Sequence, residues 1–446
     1  MSKEEKKRKE FEEFLSTNNV LIVDQSGSSR RRLIKTLVDM GGKSHQISAV
    51  ASFHECKEIL EEKKPQLILS DYKVKGGSGF DLFSFIRHTY PEEKKMTLIL
   101  VTANISQTAV AKAAEEDVDS FIIKPYTVKS LEQSLINAVL LKINPSEYIK
   151  KVNLAKDMIE AGKVEESIDI LEEAKTLDPK PSLAMFYLGQ AQYMLKILEQ
   201  AKEKYNEGLK INSIHFKCQV GLYTIFKNEE QWDNAYKVVR NIAKYFPSNP
   251  DRLKEVVHLC VRTENYKDLE EYYGHFLELE ERPDQVVDYI CAGMYILGKW
   301  FFMNSDNTRG KEIYEKIVVS CAGNPKYLKA VITVLSQNNE HSVGQRYLSR
   351  FTGDSTSGNE YLAAACYSEW STMDANQKVK SILEVYNAGV KEHYTFELIV
   401  EAFKEADMEQ KLEEYVFEAK KLYPNQPLKN LEMNSDNSDE SSQEAA

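Results

Sequence analysis

The sequence predicts an α/β doubly wound, five-stranded parallel sheet followed by an all-α superhelical solenoid of repeats. Three observations carry that expectation. Short apolar runs alternate with amphipathic helical stretches up to residue 142 and cease after it. Charge divides at the same seam: residues 1–146 carry 22 basic and 20 acidic side chains, whereas the remaining 300 carry 36 and 49. Tyrosine divides there too, with 3 of the 24 before position 147 and 21 after it.

Composition narrows the field further. With 446 residues, 42% hydrophobic and 28% charged, the chain has ample core for more than one domain. Glycine (19) and proline (12) fall below the average of ~7% and ~5%, which argues against collagen-like, linker-dominated or turn-rich all-β architectures. A net charge of −11 argues against nucleic-acid binding through overall charge. The start, MSKEEKKRKEFEEFL, is charged where a signal peptide needs an apolar core, and no run approaches 18 apolar residues. No membrane insertion is therefore expected, and a cytoplasmic location is. The six cysteines are scattered without CxxC pairs, so reduced core thiols are expected rather than zinc or redox sites.

The elements follow in order. Residues 1–17 read as a charged leader helix. VLIVD (20–24), HQISAV (45–50), QLILSD (66–71), MTLILVT (96–102) and DSFIIK (119–124) read as strands. Helical spacing lies between them at 28–41, 52–64, 80–90 and 106–116, and again at 127–142. In a parallel sheet covered on both faces, ligands sit beyond the carboxyl ends of the strands. Four of these strands end in Asp24, Asp71, Thr102 and Lys124–Pro125. Two carboxylates suit a hard divalent cation such as Mg²⁺, and an amine with a hydroxyl suits a phosphoryl group. A single Asp at a strand end is as readily a helix cap; four chemically matched ends are harder to explain that way.

The stretch VLIVDQSGSSRRRL…LILSDYKVKGGSGFDL…LILVTAN…DSFIIKP resembles the receiver domain of bacterial response regulators, the chemotaxis regulator among them, and covers residues 18–142. The resemblance implies a flavodoxin-like fold with Asp71 as phosphoacceptor and a phosphohistidine as donor. It also implies Mg²⁺ held by Asp24, Asp71 and the Lys73 backbone carbonyl. Lys124 would pair with the phosphoryl oxygens, and Pro125 would follow a cis bond. Thr102 and Phe121 would act as the switch pair, Gly76 and Gly79 would give the loop flexibility, and Ala103 would leave the site open. One departure stands out: the second acid after strand one is Gln25, which offers an amide oxygen without charge and lowers the expected Mg²⁺ affinity and phosphorylation rate. The Arg30–Arg32 triplet reads as a solvated or partner-facing patch.

From 147 to 427 the pattern is helical. Asp178–Pro179 and Phe246–Pro247 lie 68 residues apart, twice 34, and in that frame residues 148–181, 182–215 and 216–249 align. Leu188–Gly189, Ala201, Ala235, Tyr205 and Pro247 resemble the marks of the tetratricopeptide repeat (TPR), a 34-residue helix–turn–helix. Beyond 250 the frame degrades. The segment 284–325 is longer, with MNSDNTRG (303–310) read as an expanded inter-helix turn. Further pairs are expected at 325–351, 358–390 and 393–423, giving seven to eight in all. Most tyrosines should be packed between helices. The TPR resemblance implies a groove lined by Lys156, Phe186, Gln190, Tyr193, Thr224 and Lys227, suited to an unidentified protein or peptide. Residues 428–446 read as a disordered acidic tail.

Together these features predict a two-component adaptor. A sensor histidine kinase or histidine phosphotransfer protein would phosphorylate Asp71, and the switch would control what the array binds. A second copy of the chain is another candidate partner. A phosphoryl sink that drains a kinase, and a constitutive scaffold with a weakened receiver, remain alternatives. No enzyme signature is present, so no activity is expected beyond receiver self-phosphotransfer and autodephosphorylation.

Overall fold

A computed structural model describes residues 3–90, 96–102, 118–245, 250–279 and 282–429. The helix expected over 106–116, Ala103 and nearly all of the 428–446 tail lie outside these residues. Contacts divide the chain into two units, Met1–Leu259 and Cys260–Ala446.

The first unit begins with α1 (Lys3–Thr17) and the sheet. Strands β1 (Val20–Val23), β2 (Ile47–Val50), β3 (Leu67–Asp71), β4 (Thr97–Thr102) and β5 (Ser120–Ile123) pair in parallel in the order β2-β1-β3-β4-β5. Helices α2 (Gly27–Asp39), α3 (Phe53–Lys63), α4 (Gly79–Thr89) and α5 (Val128–Ile143) cover it. The runs are mostly apolar, and the three central strands β1, β3 and β4 are buried along nearly their whole length, whereas the edge strands β2 and β5 are partly exposed. Val20, Ile22, Leu67, Leu69, Ile99 and Val101 face one layer with α1, α2 and α5. Leu21, Val23, Ile68, Leu98 and Leu100 face the other, with α3 and α4.

Helix α1 is more than a solvated leader. Phe11, Phe14 and Leu15 are buried in the same core as Leu37, Met40, Leu135 and Val139. Arg8 reaches Glu132 on α5 at 3.3 Å. At the strand-start end of the sheet, Asp119 accepts hydrogen bonds from the Leu98 amide (2.8 Å), Arg87 of α4 (3.1 Å) and Lys142 of α5 (2.6 Å). It ties two helices and two strands together there.

The chain then becomes all-helical, with sixteen helices of eight or more residues between Glu147 and Leu422 among the described residues. In the first unit α6 (Glu147–Glu160) packs with α7 (Val164–Lys175), α8 (Ser182–Met194) with α9 (Leu198–Ile211), and α10 (Phe216–Asn228) with α11 (Trp232–Tyr245). The division between units falls within α12 (Pro250–Arg262). The second unit holds α13 (Leu269–Glu278) and four pairs: α14 (Asp284–Met303) and α15 (Asn307–Ser320), α16 (Pro325–Gln337) and α17 (His341–Leu348), α18 (Asn359–Glu369) and α19 (Ala375–Asn387), α20 (His393–Glu405) and α21 (Leu412–Leu422).

Close packing sets the pair geometry. A Cβ on Gly189 would lie 2.6 Å from the Tyr205 ring, and one on Gly221 2.4 Å from its other edge. In the second unit a Cβ on Gly298 would lie 2.2 Å from Tyr314. Each ring thus occupies the space that a side chain on the facing helix would fill. Among the described residues, twelve of the tyrosines after position 147 are buried, in keeping with a packing role for most.

One expectation needs correction. The 303–310 stretch is not an expanded turn: α14 runs on to Met303, only residues 304–306 form the turn, and NTRG opens α15 behind the Asp306 cap on Arg309 (3.1 Å). The extra length is therefore helical. That same α14 is, among the described residues, long and apolar enough to cross a membrane, although half of its apolar window is buried within its unit. Val286, Ile290, Met294, Leu297 and Phe302 make it a core helix. The six cysteines are buried free thiols, and burial pushes Cys56, Cys218, Cys291 and Cys366 up to about 12, which disfavours the thiolate of these four at neutral pH.

Candidate functional site

The carboxyl ends of β1 and β3 bring Asp24 and Asp71 to one rim, and the residue after β5 adds Lys124. Lys124 Nζ donates to Asp24 Oδ2 at 3.0 Å and to Asp71 Oδ2 at 2.7 Å. The backbone fixes this meeting. The Asp24 amide donates to Val50 of β2 (3.1 Å), and the Lys124 amide donates to the Thr102 carbonyl (2.7 Å). The Lys124–Pro125 bond is cis.

Asp24 is almost fully buried, with 1% exposure, and every acceptor it presents is engaged. Oδ1 accepts from the Ser26 amide (2.7 Å), Oδ2 from the Ser29 hydroxyl (2.6 Å) as well as Lys124, and its carbonyl from the Arg30 guanidinium. Burial raises the Asp24 carboxyl, but the bonds from Ser29, Lys124 and the Ser26 amide outweigh it and hold the group below its ordinary range. For Lys124 burial favours the neutral amine, and the two carboxylates overcome it, holding the ammonium above its ordinary range. Asp71 is half-buried, and its Oδ1 accepts no hydrogen bond among the described residues. One carboxylate is thus locked in place while the other keeps a free oxygen at the rim.

The remaining expected residues are placed as follows. Thr102 ends β4 with 3% exposure, while Phe121 on β5 is 39% exposed and pairs in register with Leu100. Lys73 lies in the two-residue hairpin 73–74/77–78 beside Asp71, with an exposed side chain. Gly76 has φ +88°, a conformation that glycine adopts readily. Gly79 has a different task from the loop flexibility expected of it: a Cβ there would lie 2.3 Å from the Asp71 carbonyl, so its small size lets α4 start against β3. Ser29 escaped the sequence reading. A serine inside an SSRRR run carries no signal until the helix turn returns its hydroxyl to the strand end.

These residues fit Mg²⁺ poorly. Hard cations take about six oxygens, with carboxylates foremost. Here each carboxylate oxygen of Asp24 already accepts a hydrogen bond, Gln25 is exposed and neutral, and among the described residues no three His, Cys, Asp or Glu side chains converge on a metal geometry.

Residues 20–136 match the profile described as the response regulator receiver domain. The N-terminal domain is a response regulator receiver domain. The "Probable chemotaxis protein CheY" of Rhizobium etli is 28% identical over 116 residues, covering 26% of this chain and 88% of that protein. Chemotaxis protein CheY-3 of Vibrio cholerae is 26% identical over 126 residues, 28% of this chain and 95% of that one. The two-component response regulator ORR3 of Oryza sativa is 26% identical over 125 residues, 28% and 92% respectively. The receiver domain places this part of the chain in two-component phosphorelay signalling, where such domains interact with histidine kinases or phosphotransfer proteins and typically bind Mg²⁺.

A second candidate surface lies on the array of the first unit. Phe186, Gln190, Tyr193 and Thr224 line a hollow of about 230 Å³ with Tyr205, Phe216, Lys217, Val220 and Gly221. The two other groove residues stand outside it. Lys156 pairs with Glu160 (3.9 Å), and Lys227 pairs with Glu255 (2.5 Å) and lies over the Tyr223 ring. Phe216 and Val220 are one helical turn apart on α10, and that apolar spacing was the available signal for them.

Proposed function

We propose that the chain is a cytoplasmic phosphorelay adaptor: Asp71 accepts a phosphoryl group, and the helical array, tetratricopeptide-like in its first three pairs, binds a protein or peptide partner. The observation that carries the reading is the rim pair. The Asp71 carboxylate is oriented through Oδ2 by a half-buried ammonium 2.7 Å away, while Oδ1 stays available as nucleophile. In the transfer from a phosphohistidine, the P–N bond breaks and its electron pair stays on the imidazole, which takes a proton from solvent. A P–O bond forms to Asp71, and Lys124 faces the added oxygens. Thr102 and Phe121 are the residues that would register the new charge. No turnover is assigned beyond this transfer and hydrolysis of the aspartyl phosphate.

The array half rests on the hollow at Phe186, Gln190, Tyr193 and Thr224, whose apolar walls and few polar atoms suit one large side chain of a peptide. One observation favours the alternative of a constitutive scaffold: the neutral Gln25 beside Asp24. The test is incubation of the full chain with a small acyl phosphate, read by intact mass spectrometry. A single phosphoryl adduct, absent in Asp71→Asn, supports the adaptor or the sink. No adduct, or one that persists in Asp71→Asn, removes the phosphoacceptor role and leaves the scaffold. Adaptor and sink then separate on whether a partner captured through residues 182–228 binds differently to the phosphorylated chain.

A further inference from the structure

We infer that the Asp71 pocket is closed to Mg²⁺ at ordinary concentrations and that the Lys124 ammonium, positioned by Asp24 and Ser29, supplies the positive charge a divalent cation would bring. The metal half stands on geometry alone; the second half rests on reading Asp71 as phosphoacceptor.

A divalent cation is held by charge and by oxygen atoms free to turn toward it. Asp24 offers neither without loss. Its Oδ1 is bonded to the Ser26 amide, its Oδ2 is shared between Ser29 and Lys124, and its carbonyl is bonded to Arg30. A cation on Oδ1 would have to share that oxygen with the Ser26 amide, and one on Oδ2 would displace Ser29 or Lys124, beside a carboxylate that is only 1% exposed. The pocket also carries one ammonium against two carboxylates, so only a single net negative charge is left to attract a cation. Position 25, next to Asp24, is where a third carboxylate would restore that attraction, and it holds an exposed amide. The same bonds give Asp24 another task. Ser29 fixes the carboxylate at 2.6 Å, and the carboxylate fixes Lys124, whose Nζ then stands 2.7 Å from Asp71. Asp24 and Ser29 are thus positioning residues acting through Lys124. When acetyl phosphate is the donor, the phosphoryl P–O bond to acetate breaks and acetate leaves with the electron pair. A new P–O bond forms to Asp71, and the charge gathering on the phosphoryl oxygens meets the ammonium.

Two measurements on the full chain test this. The first is thermal denaturation in MgCl₂ up to roughly 10 mM, where a ligand of the native state raises the midpoint with concentration. The expected result is a flat midpoint for the wild type and a rising one for Gln25→Asp, corresponding to at least tenfold tighter binding. A wild-type midpoint that rises with MgCl₂ and stops rising in Asp71→Asn overturns the inference. So does a Gln25→Asp chain that folds yet stays flat. The second is the rate of acetyl phosphate labelling in EDTA against MgCl₂. The wild-type rates should agree within about threefold, whereas Gln25→Asp should gain a dependence of tenfold or more. Ser29→Ala should slow labelling in both media and Ser29→Thr should restore it. A wild-type rate that collapses in EDTA, or a Ser29→Ala rate equal to wild type, overturns the role given to Lys124 and Ser29. Absence of labelling in every chain and medium removes the phosphoacceptor reading and the Lys124 half with it, while the denaturation series still decides the metal half.

Discussion

The receiver rim and the array hollow both gather side chains from several elements, but by opposite physics. At the rim, polar atoms are held by other polar atoms: Asp24, Ser29, Lys124 and Asp71 form a bonded chain on the ends of rigid strands. In the array, position is set by the absence of side chain, with Tyr205 wedged between Gly189 and Gly221, and Tyr314 against Gly298. A rim residue can lose its charge and leave the fold standing. Gly189, Gly221 and Gly298 cannot gain a methyl without moving a ring. The rim and the array are therefore exposed to different kinds of mutation.

The largest expected effect sharpens that contrast from outside both sites. Phe11→Ala empties a fully buried ring position under the receiver sheet and should cost about 3–4 kcal/mol, read by urea denaturation of the full chain. A loss below about 1 kcal/mol would return α1 to the status of a dispensable leader. Gly298→Ala comes next. Its Cβ would meet the Tyr314 ring, and overpacking of this kind costs about 1–3 kcal/mol. The same denaturation series, with Tyr314→Leu added to relieve the clash, should recover part of that loss; no recovery would break the ring-against-glycine account.

The rim should reveal itself through pH. Asp24 has its carboxyl held below the ordinary value near 3.8, so its contribution to stability is present above that value and lost as pH falls through the folded one. Lys124 is held above 10.5, so its contribution is present below that value and lost as pH rises through the folded one. The pair thus supports a plateau between these limits. Asp24→Asn should flatten the acid limb of a stability-against-pH curve, and an unchanged limb would remove Asp24 from its origin. The smallest stability effect belongs to the hollow: Thr224→Ala is expected to shift stability by no more than about 0.5 kcal/mol while weakening whatever peptide seats there. A larger loss of stability would mark it as a packing residue.

Much of the receiver was legible because its strands are short apolar runs that stop on polar residues, and a parallel sheet sends those ends to one side. Asp24, Asp71 and Lys124 could be brought together from that alone. Helix α1 was not legible in the same way: in KEEKKRKEFEEFL ten charged residues surround Phe11, Phe14 and Leu15, and average polarity hid a face that only tertiary contact reveals. Ser29 was hidden because its partner lies five residues back, across a strand–helix turn. The 303–310 stretch misled because Asn, Ser, Asp and Gly signal a loop, whereas here Asp306 caps and Gly310 packs against Phe302. Lys156 and Lys227 had suitable positions for the expected groove, but each pairs with an acid, Glu160 on the same helix and Glu255 on α12.

The burial of α1 has a practical consequence. The receiver homology covers residues 20–136, so a gene fragment trimmed to those limits would delete this helix and the end of α5. What remains would expose Leu37, Met40, Val20 and Leu135 to water as one contiguous greasy seat. Such a fragment should clump on purification and melt early, and a failed phosphorylation assay on it would be misread as a dead active site.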